Sequence, residues 1–213
     1  MPEPTEAAAL SGRRGQAARN DVVILDAARE VFLADPKAPI AAVADRAGVG
    51  ISALYRRYPG KEQLLRRLCH DGLRRFIAEA EAASEEPDGW QALTGFLRGV
   101  VDADVHSLTV HLAGTFTPTP EMGEDARQAN GLAADLVARA RETGRLRKDF
   151  FVEDVAVVLE SCAAIRVEAP ERTAQLRRRH LALLLEGMSA VNGEPLPGPP
   201  PAPGELNGRW RPS

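Results

Sequence analysis

From roughly residue 20 to 191, apolar residues recur at three- and four-residue spacing, which places them on one face of a helix. The first such stretch, about Asn20 to Ala34, sets Leu25, Ala28 and Phe32 on one side, flanked by Ile24, Ala27 and Val31. Asp35-Pro36 ends it, because proline disfavours helical geometry in the residue before it. A short helix is predicted over Ile40–Ala47, with Pro39 as its first helical residue and no side-chain cap. Gly48 breaks it, a second short helix covers Ile51–Arg57, and Pro59-Gly60 stops that one. Lys61 then opens a long helix to about Ala83, with Leu65, Cys69, Gly72 and Phe76 on one side.

Pro87-Asp88-Gly89 is a break, and five more helices are predicted over 89–105, 107–115, 120–142, 152–166 and 171–191. Thr119-Pro120-Glu121 has the order of a helix start: a capping hydroxyl, a proline and an early acid. Gly144 follows a basic turn and marks a helix end. Val155, Val158, Leu159 and Cys162 form one apolar stripe near the end of the chain. Leu176, His180, Leu183, Leu184 and Gly187 form another. No alternating strand pattern and no internal repeat is present, so the fold class is all-α.

Composition changes the picture only at the ends. Residues 1–18 have no amphipathic period and are expected to be a disordered arm carrying Arg13 and Arg14. Residues 192–213 hold seven of the 16 prolines and are expected to be a loose tail. Cys69 and Cys162 stand alone, with no CxxC, so neither a disulfide framework nor a zinc site is expected. No apolar run is long enough to span a bilayer, and the first residues lack a secretory pattern, so a cytoplasmic location without membrane contact is expected.

Charge is segregated. Residues 46–75 carry eight basic against two acidic residues, while 81–213 carry 14 against 20. Global attraction to a polyanion is not expected at a net charge of −3, but the segregation fits either one end that faces a polyanion or a solvated basic helix face.

The two short helices around Ala47-Gly48-Val49-Gly50 fit a helix-turn-helix. Val43 and Ala44 can pack against Leu54, Gly48 permits a left-handed turn, and Val49 can fill the angle. The opposite face of the second helix is then free for a major groove. This stretch resembles the DNA-binding head of the tetracycline-repressor (TetR) family. The matching residues are Ala27-Ala28, Val31-Phe32, Val43-Ala44, Ala47-Gly48-Val49, Leu54-Tyr55 and Tyr58-Pro59-Gly60-Lys61-Glu62, ending at Leu64-Leu65. Trp90 with Leu93 and Phe96, and Gly144 to Asp149, are similar to an actinobacterial-type C-terminal subgroup.

The resemblance implies a three-helix head over 19–65 and a helical ligand-binding and dimerisation domain over 66–191. It implies phosphate contacts from Tyr55 and Lys61, and a reading face formed by Gly50, Ile51, Ser52 and Ala53. That face is nearly apolar, so the main guanine contact is expected from Arg46, Arg56 or Arg57. Tyr58 is expected in the core, and Arg66, Arg67, Arg74 and Arg75 on a solvated face. The resemblance further implies a homodimer through the last two helices and a near-palindromic operator of double-stranded DNA. A small apolar or amphipathic effector would release that operator. Trp90, Phe96, Val100, His106, Leu108, Phe116, Met122 and Cys162 are the pocket candidates, each equally able to be core packing.

Other classes fit less well. A nucleophile elbow would need a final glycine after Gly50-Ile51-Ser52-Ala53, and no phosphate-cradling loop is present, so no catalytic residue and no cofactor is expected. Asp102 and His106, four residues or one helical turn apart with Asp104 and His111 nearby, have spacing that could hold a metal but is more often solvated. A ligand-independent DNA-binding regulator, an activator, and a small helical enzyme or carrier remain as alternatives.

Overall fold

The computed structural model describes residues 21–112, 114–189, 193–202 and 205–206, without the side chains of residues 109–111. The arm over 1–18, with Arg13 and Arg14, lies outside the described residues, as does the His111 side chain. The described chain is helical throughout, with no strand. Helix α1 covers residues 21–34. It is followed by α2 (Ile40–Ala47), α3 (Ile51–Arg57), α4 (Lys61–Ser84) and α5 (Gly89–Asp102). The remainder is α6 (Val105–Leu112), α7 (Pro120–Glu142), α8 (Val152–Ala164) and α9 (Pro170–Met188).

Two compact units divide the chain, with the break between Leu68 and Cys69, inside α4. The first unit has its own core. Ile24, Ala28 and Phe32 of α1 are buried, and so are Val43 and Ala44 of α2, Leu54 of α3, and Leu64 and Leu65 of α4. The buried face of α1 is centred on Ala28 and Ile24, so Leu25 is only half-buried.

The second unit is built on α5 and α7, which pack along each other, with α8 and α9 alongside. Its core includes Leu93, Phe96, Leu97 and Val100 of α5, Leu136 and Val137 of α7, Leu159 and Cys162 of α8, and Leu181 and Leu185 of α9. Phe76 meets the Phe96 ring edge-on at 5.0 Å between centroids, a favoured aromatic geometry. Local chemistry sets the helix starts. Asp88 caps α5 by accepting from Gln91 N at 2.9 Å. Thr119 caps α7 by accepting from Met122 N at 3.2 Å, with Pro120 in the first turn. Asp154 accepts from Phe151 N at 2.7 Å at the start of α8.

Three expectations are corrected. Pro39 is the N-cap of α2 with ψ 154, so Ile40 is the first helical residue; the missing side-chain cap is as expected. The helix predicted to run to 105 stops at Asp102, because Asp104 takes a left-handed φ of 49°. Asp102 and His106 therefore lie on different helices, and Asp102 accepts from Arg178 Nε at 2.7 Å. The tail is tethered where it follows α9. Leu196 N donates to Asp149 Oδ2 at 2.7 Å, and Arg147 donates to Glu194 O at 2.8 Å.

Asp104 is held by its neighbours. It accepts from Ser107 Oγ and from Arg177, a guanidinium that is only 5 % exposed. Arg177 also donates to Ile165 O at 2.9 Å and Ala163 O at 3.2 Å. One buried arginine on α9 thus fastens the α5–α6 turn and the last turn of α8.

Candidate nucleic-acid interface

The turn between α2 and α3 is made by Gly48, whose φ of 65° is the left-handed conformation glycine adopts without steric cost. Its N–H and that of Val49 return to Asp45 O and Ala44 O at 3.3 and 3.1 Å. Gly50 then caps α3 with backbone alone, its carbonyl accepting from Ala53 N and Leu54 N at 2.9 and 3.1 Å. Leu54 is fully buried and fixes which way α3 faces.

Helical geometry does the rest. At about 100° per residue, Ser52 and Arg56 fall opposite Leu54. Ile51 and Tyr55 lie on one flank, Ala53 and Arg57 on the other. Ser52, Tyr55 and Arg56 are exposed, as is Arg57 on its flank, and Ile51 keeps 41 % of its surface. Gly50 is also exposed and Ala53 half-buried.

The basic side chains are not equivalent. Arg57 makes a two-pronged pair with Asp21 of α1, Nε to Oδ1 and Nη2 to Oδ2 each at 2.9 Å. Tyr58 is buried, and its hydroxyl donates to the same Oδ1 at 2.6 Å. The Arg57 hydrogen bonds hold the Asp21 carboxyl below its ordinary range. Burial and the Asp21 bond push the Tyr58 phenol up. Arg46 is exposed but pairs with Glu30. Arg56 makes no ion pair or hydrogen bond among the described residues.

Lys61 opens α4 and is folded back on the head. Its ammonium donates to Pro36 O at 2.8 Å and Ala38 O at 2.7 Å, and lies 4.9 Å from the Phe32 ring centre. Burial pulls its pKa down, and nearby Asp35 opposes that. Two of its three N–H donors are used, leaving one for an external acceptor. Neither Asp21 nor Glu30 was singled out from the sequence. Each lies far along the chain from the arginine it meets, and no local pattern marks it.

In the second unit all eight pocket candidates are buried. Trp90, Phe96, Val100 and Cys162 belong to the main core, while His106, Leu108, Phe116 and Met122 are buried outside it. A cleft of about 170 Å³ between α5 and α9 is lined instead by Arg98, Asp102, Arg178, Leu181, Ala182 and Leu185. Burial pushes the Cys69 thiol up to about 12 and raises that of Cys162, which keeps both in the unreactive thiol form near neutrality. On the outward side, Val157 of α8 and Leu183 of α9 are exposed and Leu176 is half-buried, whereas Leu184 packs against the core. No helix among the described residues is long and apolar enough to cross a membrane.

Two family models match the chain. Residues 24–68 match that of bacterial regulatory proteins of the tetR family. Residues 88–190 match the C-terminal domain of SbtR-like transcriptional regulators. No curated protein matches. Solved structures share the fold. A TetR transcription regulatory protein from Mycobacterium vanbaalenii is 25 % identical with a TM-score of 0.55, over 83 % of this chain and 99 % of its own. The TetR-like regulator LfrR from Mycobacterium smegmatis, solved in complex with proflavine, is 21 % identical with a TM-score of 0.60, over 84 % and 99 %. A gamma-butyrolactone receptor is 19 % identical with a TM-score of 0.63, over 83 % and 91 %. The two family models cover the helix-turn-helix head and most of the helical body, and the chain belongs to the TetR family of DNA-binding transcriptional regulators.

Proposed function

We propose that this chain is a homodimeric repressor that binds a near-palindromic operator and is released from it by a small molecule. A DNA-binding domain over 19–65 and a ligand-binding and dimerisation domain over 66–191 divide the work. The observation that carries the reading is the outward face of α3, where Ser52, Tyr55 and Arg56 are exposed opposite a fully buried Leu54. A helix of that kind fits a major groove, with phosphate contacts from Tyr55 and Lys61 fixing its register.

Dimerisation is supported by the outward apolar residues of the last two helices, Val157, Leu176 and Leu183, for which a second copy supplies cover. Effector binding rests on the family and on two similar proteins, one solved with proflavine and one described as a gamma-butyrolactone receptor. Trp90, Phe96, Val100, His106, Leu108, Phe116, Met122 and Cys162 are proposed to bound that site, which would favour an apolar or amphipathic molecule. Helix α4 begins in one unit and continues into the other. A ligand that favours one body conformation therefore changes DNA affinity, and DNA changes ligand affinity by the same factor.

The test is binding of the purified full chain to DNA upstream of its own coding region at increasing salt, followed by a ligand screen for release. Of the two phosphate contacts per head, Tyr55 and Lys61, only Lys61 is cationic, which gives about two neutralised phosphates per dimer and a log–log salt slope of roughly −1.8. A slope near zero, or failure to prefer any duplex over random DNA, contradicts the reading.

A further inference from the structure

The structure separates two adjacent arginines of α3 that the sequence presents as equivalent. We infer that Arg56 reads a base edge and sets operator specificity, whereas Arg57 is a positioning residue that fixes α3 against α1. The inference rests on the DNA-binding reading above.

Two independent observations carry it. The first is direction. Arg56 follows Ser52 by four residues, so both project from the same line of α3, opposite Leu54 and about 6 Å apart along the axis. That separation matches about two base-pair steps, so Ser52 and Arg56 can address neighbouring positions in one groove. Arg57, one residue later, is rotated toward the core side of the helix.

The second is commitment. Reading guanine uses both arms of a guanidinium, on O6 and N7 together. Arg57 already has Nε and Nη2 engaged by the two oxygens of Asp21, at 2.9 Å each. Asp21 is further fixed by the Tyr58 hydroxyl at 2.6 Å, and its side chain is only 14 % exposed. To read a base, Arg57 would have to leave a pre-formed two-pronged pair and strand that carboxylate. Arg46 faces the same difficulty in milder form, since Glu30 holds it on the surface. Arg56 is exposed and makes no ion pair or hydrogen bond among the described residues, so its fork is available at no such cost. With Tyr55 assigned to a phosphate, the rest of the outward face, Ile51 and Ser52, offers one hydroxyl and a methyl surface. The Arg56 fork is therefore its strongest source of discrimination.

The test uses the full chain and duplexes selected from a randomised pool by the wild-type protein, followed by affinity measurement across single base-pair substitutions. Arg56→Ala is expected to lose roughly 10- to 100-fold of preference for G at one position in each half-site. Arg56→Lys, which keeps the charge but not the fork, is expected to lose the same preference with the salt slope unchanged. Arg57→Ala is expected to weaken all duplexes alike, keep the base preferences and lower the unfolding temperature of the head. Asp21→Asn is expected to do the same, and the double variant to be no worse than Arg57→Ala alone. Unaltered base preference in Arg56→Ala, or loss of preference at one base pair in Arg57→Ala or Asp21→Asn, overturns the inference while leaving DNA binding intact. Failure of the wild-type protein to enrich any sequence overturns the DNA-binding reading instead.

Discussion

Replacing Arg177 with Met tests whether one side chain holds the second unit together. The stem and volume are kept, and every hydrogen bond is lost. Three acceptors are left behind: Ile165 O, Ala163 O and a carboxylate oxygen of Asp104. Hydrogen bonds to charged groups contribute about 1.5–3 kcal/mol each, and uncompensated buried acceptors cost about 1–3 kcal/mol. The Asp104 carboxylate is 31 % exposed and can recover part of its hydration, so its share is discounted. The buried Met stem returns under about 1 kcal/mol. The net is a loss of about 3 kcal/mol, or roughly 6–12 °C in Tm for a chain of this size. Asp104→Asn is the control. Asparagine tolerates the left-handed φ of 49° at this position and leaves both carbonyl bonds intact, so it is expected to cost about 1 kcal/mol. Thermal unfolding followed by circular dichroism reads both. A shift under about 2 °C for Arg177→Met, or an equal shift for the two variants, refutes the reasoning.

Other outcomes follow from single residues. Gly48→Ala is expected to cost about 1–2 kcal/mol from backbone strain alone, because an added Cβ there meets nothing within 4 Å while φ is +65°. Gly50→Ala, also in open space but without the positive φ, sets a lower unfolded-chain entropy against a poorer N-cap and is expected to cost less than Gly48→Ala, and chemical denaturation distinguishes the two. The Asp21 carboxyl is held below its ordinary value of 3.8, first by its hydrogen bond from Arg57. Its contribution to stability is therefore complete above that value and lost as pH falls through its lower folded-state pKa. Acid titration of unfolding in wild type and Asp21→Asn is expected to show the difference shrinking over that range. Leu183, 64 % exposed on α9, is expected to become a monomerising position on replacement by Glu, read by sedimentation with a parallel loss of DNA affinity. Retention of the dimer would remove the proposed interface.

How much was legible depended on how far apart the responsible residues lie. The limits of α2 and α3 follow from Gly48 and Pro59-Gly60, which act on their immediate neighbours. The start of α7 follows equally from Thr119 and Pro120, within one turn. The break between α5 and α6 was legible but its position was not, because Asp104 adopts its conformation with Arg177, 73 residues later, as a partner. Nor was the inequality of Arg56 and Arg57, which depends on an acid 36 residues from Arg57. The contacts of Glu194 and Leu196 were not legible for a similar reason. Proline content says that no helix forms there, but not that Asp149 is placed to accept from Leu196 N. In the second unit, apolar patterning identifies which side chains are buried without distinguishing a ligand wall from packing.

The account stands most directly on α3 entering a major groove. Methylation interference on a selected duplex examines that contact, since a methyl on guanine N7 blocks the major-groove edge and one on adenine N3 blocks the minor-groove edge. The expected pattern is interference from N7 methylation in two symmetric half-sites, about 10 base pairs apart or a multiple of that spacing. Binding that tolerates every N7 methyl group, or that responds only to modification of the minor groove, would contradict it.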